Sequence, residues 1–179
     1  EVSDVGTSDA AADVVVVGDE TKPEFLTDMS RFFDLFQERR LALDVFTVLE
    51  SSRIDGYVSE LYPGITVMYD LVRDAALESR PDVKDLPARE ALVEFMVCVS
   101  LGQIDDMIVP AEHKDSARIL RRLIRKVTNI EARVEDAAEA AIRAYSLLID
   151  ISNEDLEDDD YEQLEPEEEE ESDESGEDE

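Results

Sequence analysis

Six of the seventeen basic residues of this 179-residue chain crowd into thirteen positions: Lys114, Arg118, Arg121, Arg122, Arg125 and Lys126. On a helix, Arg118, Arg122 and Arg125 share a face at i, i+4 and i+7, with Arg121 alongside. Leu120, Leu123 and Ile124 then turn toward the core. Each guanidinium offers paired hydrogen bonds, so the stripe suits phosphate or carboxylate. Direct nucleic-acid binding is disfavoured, because no aromatic residues interleave with the stripe and the formal net charge of the chain is −31. The expected occupants are local carboxylates, the chain's own acidic tail, or an acidic patch of a second copy.

That tail is the opposite extreme. Residues 152–179 hold eighteen carboxylates and no Lys or Arg, and they include the run Glu167, Glu168, Glu169, Glu170 and Glu171. Mutual repulsion predicts a solvated, disordered polyanion, in which only Leu156, Tyr161 and Leu164 are able to anchor. A polyanion attracts basic surfaces and keeps proteins in solution. Ser175 stands in an acidic context suited to phosphorylation, which would add to the charge already there. The body is acidic too, at a net −13, and poor in Lys, a pattern that adaptation to high salt also produces.

Other residues with chemical potential lack the partners that chemistry needs. Asp105, Asp106, Glu112 and His113 form a carboxylate–imidazole group, but one His without repeated spacing reads as a surface histidine and not as a ligand set. Cys98 is the single cysteine and sits among apolar residues, where thiols are inert. It also rules out a disulfide or a paired-cysteine zinc site within one chain. Glu90 and Glu94 lie four apart in an otherwise apolar stretch and are expected to face Arg or solvent. Glycine loops, nucleophile elbows and dinucleotide fingerprints are lacking. No catalytic residue, metal ligand or cofactor-binding residue is expected, and no motif carries a family resemblance.

The elements that would position these groups follow from periodicity. Residues 1–23 read as a flexible arm around one apolar island, Val14, Val15, Val16 and Val17, a short strand or a segment able to pair with a partner's sheet edge. Glu1 in place of Met suggests a processed or partial product. Residues 24–151 read as a helical bundle. Phe25, Met29, Phe32, Phe36, Leu43 and Phe46 mark a first helix, capped by Thr27 and running to about Ser52. A short helical piece follows at 55–61, then a turn at Tyr62-Pro63-Gly64. Ile65, Met68, Leu71, Val72 and Ala75 give the apolar face of the next helix.

Pro87 then opens a helix apolar on every side (Ala91, Leu92, Phe95, Met96, Val99), which belongs at the centre of the protein. Leu120, Leu123, Val127, Ile130, Val134, Ala137 and Ala141 alternate threes and fours, the seam of a long C-terminal helix, with Thr128-Asn129 as its one candidate break.

The expected architecture is all-α: a bundle of four to six helices with a long C-terminal helix, a flexible N-terminal arm and a disordered acidic tail from Ser152. The expected function is a non-enzymatic interaction module, an acidic adaptor or chaperone. Its tail engages a protein partner with a basic surface, its body makes a specific contact, and the 120–148 seam can join copies into a homo-oligomer. Two alternatives stand beside it: a structural or assembly component of a larger particle such as a virion, and a nucleic-acid binder autoinhibited by the tail. No apolar run reaches membrane-spanning length and no signal-peptide pattern opens the chain, so the expected location is intracellular or within a viral particle.

Overall fold

The computed structural model describes residues 27–165. The arm at Val14–Val17 and the run Glu167–Glu171 lie outside the described residues. Six helices, α1 (Asp28–Phe33), α2 (Arg39–Leu61), α3 (Thr66–Glu78), α4 (Ala88–Ser100), α5 (Lys114–Val127) and α6 (Val134–Leu148), build an all-α bundle. Among the described residues one sheet forms, from two short strands, β1 (Met107–Pro110) and β2 (Tyr161–Leu164).

The first helix starts where expected, with Thr27 Oγ1 accepting the Ser30 N–H at 3.1 Å. It does not run through to Ser52. A turn after Phe33 separates α1 from α2, and α2 absorbs the short helix expected at 55–61. Aromatic packing outweighs periodicity at this turn. Phe36 stacks edge-on against Tyr145 of α6 at 4.8 Å, Phe33 and Phe46 meet at 5.5 Å, and Leu35 is turned out to solvent. The Tyr145 hydroxyl also accepts the Glu38 N–H at 3.0 Å, supplying an acceptor at the α2 N-terminus that the chain there lacks.

Helix α4 lies at the centre as its sequence demands. Ala91, Leu92, Phe95 and Met96 are fully buried, and α2, α5 and β1 all pack on it. Gly102, at φ 96°, closes the segment in a conformation that side chains resist.

The expected long C-terminal helix is two helices. Asn129 breaks it: its side-chain oxygen accepts the Glu131 N–H at 2.9 Å and its carbonyl accepts the Ala132 N–H at 2.9 Å, a local turn that competes with helix. The chain then folds back, and α6 packs on α5 and, most extensively, on α2. Leu120, Leu123, Val127, Ala137, Ala141, Tyr145 and Leu148 are all buried inside the chain. The seam is therefore an internal core, and the expected homo-oligomer contact through it is corrected: only Ile130 and Val134, beside the break, are exposed. Gly56 of α2 permits the close approach at this end, since a Cβ there would stand 2.2 Å from the Thr128 carbonyl oxygen.

The largest departure concerns the tail. Residues 152–165 are not a solvated polyanion but a strap across the body. The Ala88 N–H donates to the Glu154 carbonyl at 2.9 Å, and the Tyr161 hydroxyl donates to the Leu86 carbonyl at 2.9 Å. Strand β2 then runs antiparallel to β1, with Met107 opposite Leu164 and Pro110 opposite Tyr161. Tyr161 and Leu164 are buried, and the latter alone contributes about 2 kcal/mol of apolar burial. Glu162 is exposed between these two anchors, and Lys114 meets it at 3.1 Å. Two anchors and a ladder thus offset the repulsion of Asp158, Asp159 and Asp160, which stay exposed on the turn before β2.

Candidate interaction surfaces

Two helices present outward faces whose residue types are opposite. The first is α3. It has the amphipathic spacing of a core helix, Met68, Leu71, Val72 and Ala75 at i, i+3, i+4 and i+7, yet none of its residues is buried. Val67, Met68, Leu71 and Val72 are 74%, 67%, 58% and 63% exposed. The helix is fastened by its other side. The Tyr69 hydroxyl donates to Asp55 Oδ1 of α2 at 2.5 Å, Arg73 pairs with Asp55 at 3.5 Å, and the Arg73 guanidinium stacks over the Tyr69 ring at 5.0 Å. The hydrogen bond to Asp55, then burial, pushes the Tyr69 phenol above its ordinary pKa, so it stays a donor through the neutral range. A polar clasp therefore holds α3 on the body and aims its apolar stripe at solvent. Exposed Ile54, Tyr57 and Leu61 of α2, and Tyr62 and Ile65 of the connection, extend the apolar character toward the start of α3. Exposed Glu60, Asp70, Asp74 and Glu78 add acid to the same stretch.

The second is α5. Of the stripe expected from sequence, Arg122, Arg125 and Lys126 are exposed and Arg118 is half-buried and paired with Asp115 at 2.8 Å. Arg121 departs from the stripe. It is 2% exposed, its guanidinium lies 5.8 Å from the centre of the Phe95 ring, and its Nη1 donates to the Glu165 carbonyl at 3.3 Å. Arg121 and Arg125 also wall a cleft of about 520 Å³, together with Arg73, Ser100, Gln103 and Thr128. Arg73 Nε is buried there without a hydrogen-bond partner among the described residues.

The remaining candidates have structural settings. Glu94, 6% exposed on α4, is gripped by the Nε and Nη2 of Arg80, and the Cys98 thiol donates to it at 3.7 Å. Burial, then the nearby Glu94 carboxylate, pushes the Cys98 thiol up to about 11, which keeps it protonated and unreactive at neutral pH. Glu90 accepts from Asn153 at 3.2 Å. His113 sits half-buried in the turn ahead of α5, and no group of three or more His, Cys, Asp or Glu among the described residues is placed to hold a metal ion. No described helix is long and apolar enough to cross a membrane.

Sequence reasoning located the α5 stripe and the apolar face of α3, but gave the α3 face no binding role. It also missed Arg73, whose only signal was its spacing one turn after Tyr69 on the polar side of α3. Comparison with protein-family models, with curated protein sequences and with solved structures gives no significant match, so the geometry of these two faces is what a functional reading has to stand on.

Proposed function

We propose that the protein is a non-enzymatic interaction module whose helical body binds a cationic amphipathic helix of a partner protein on the outward face of α3. One observation carries the reading: a 13-residue helix with core-like spacing has no buried residue and is held by a polar clasp with its apolar stripe facing out. Apolar stripes of this kind on a protein surface mark binding sites. An amphipathic helix lays its apolar positions into such a surface with i, i+3, i+4, i+7 anchors. The charge of the partner follows from complementarity. Glu60, Asp70, Asp74 and Glu78 accompany the stripe and the chain is formally −31, so a basic rim is attracted and an acidic one is repelled. The acidic C-terminal run adds long-range steering toward the same kind of partner.

The test uses a synthetic Leu/Lys amphipathic helix as probe and follows its fluorescence anisotropy with the full chain. A charge-matched peptide with its leucines scrambled controls for simple electrostatics. The expected result is selective binding of the amphipathic peptide, weakened at least tenfold by Met68→Asp with Leu71→Asp. These substitutions add negative charge, so an electrostatic complex would instead tighten. Equal binding of both peptides, or no loss in the double variant, contradicts the reading.

A further inference from the structure

Resting on that reading, we infer that the α3 face also selects the flank and the direction of its partner. It takes an amphipathic helix whose basic residues lie along one flank only, and sets it antiparallel to α3 when each basic residue immediately precedes a central apolar one. The charges of α3 are one-sided. Leu71 and Ala75 mark the middle of the outward stripe, and Asp70 and Asp74 each stand one position before them. One position is about 100° on a helix, so both acids fall to the same side. Glu78 continues their row one turn later, and all three are exposed. The opposite flank, Val72 and Ala76, carries no charge. The remaining charged residue of α3, Arg73, belongs to the clasp, where it pairs with Asp55 at 3.5 Å and with Asp70 at 3.8 Å.

A row of acids on one side couples flank to direction. Packed helices lie with their axes about 8–10 Å apart, so a cation on the near flank of the partner reaches the acids and one on the far flank does not. The acids climb α3 in steps of about 6 Å, the rise between lysines four positions apart on the partner. Turning the partner end for end, with its apolar face still down, carries its basic flank to the far side. Both helices are right-handed. A partner whose cations precede its central apolar residues, as the acids do on α3, therefore meets the row only when antiparallel. A partner whose cations follow those residues meets it only when parallel. Cations divided between the flanks leave half of them facing Val72 and Ala76 in either direction.

The experiment uses the full chain and three Leu/Lys helical peptides of identical composition and one leucine stripe. Their lysines stand one position before the central leucines, one position after them, or divided equally between the flanks. Affinity is read by fluorescence anisotropy at about 0.15 M salt, where attraction to distant charge is screened. Direction is read from a nitroxide on the peptide N-terminus, which broadens the amide signals nearest to it. Exposed ion pairs are weak singly, so the row as a whole is expected to favour each one-flank peptide over the divided one by about fivefold. The first peptide is expected to broaden residues 75–78 and the second residues 66–69. Asp70→Asn with Asp74→Asn and Glu78→Gln, all at exposed positions, is expected to equalise the three affinities while the leucine stripe still binds. Equal affinities on the native chain overturn this inference and leave the α3 reading standing. Broadening at the same end by both one-flank peptides, or an unchanged preference in the triple variant, does the same. Failure of all three peptides to bind overturns both.

Discussion

Helices α3 and α4 are each 13 residues long and both carry core-like apolar residues, yet they end in opposite environments. Around α4, neighbouring elements close on every side, and even its acid, Glu94, is buried against Arg80. Around α3, the polar clasp and one half-buried residue near its C-terminus, Leu77, make the contact with the body, and the apolar stripe meets water. Apolar spacing therefore specifies that a helix needs a partner, while the fold decides whether that partner is within the chain. In α4 the need is met on folding. In α3 it is left open, and a ligand can meet it.

That contrast predicts unequal responses to mutation. Phe95→Ala in α4 removes a fully buried ring from the centre of the bundle and should cost about 4 kcal/mol of stability in denaturant unfolding. Arg80→Ala should cost about 3 kcal/mol, because it strands the buried Glu94 carboxylate, and Glu94→Gln in the same chain should recover part of the loss. Tyr69→Phe opens one finger of the α3 clasp. It should cost about 1 kcal/mol, seen as faster amide exchange confined to α3 while α4 keeps its protection. Leu71→Ala should change stability by less than about 0.5 kcal/mol, since its side chain is already in water. A large loss at Leu71 would mean that the stripe is packed and would break the comparison.

How much of this was legible beforehand depends on what each residue's fate rests upon. Leu92, Phe95 and Met96 announced a central helix because an all-round apolar surface has no other stable place. The Leu120–Leu148 periodicity was read correctly as an apolar seam, but its closure into a hairpin hung on one local turn at Asn129. The α3 stripe was legible as the apolar face of a helix, but its exposure was not, because Met68, Leu71 and Val72 have the same spacing whether covered or not. Only the Tyr69–Asp55 clasp, between residues fourteen apart in sequence, tells which side faces inward. In the tail, Tyr161 and Leu164 were visible as possible anchors, but charge density hid them. Their burial depends on β1 offering a free edge, a tertiary fact. Arg121 shows the reverse error: it was read as part of a surface stripe, and the strap and Phe95 enclose it.

The most direct test of the central claim is an amide chemical-shift titration of the full chain with the amphipathic cationic helix. The account predicts that shifts concentrate on residues 66–78 and the adjoining end of α2, with the exposed face of α5 little changed. Shifts spread over the acidic surface without a focus on α3, or centred on residues 114–126, would contradict it.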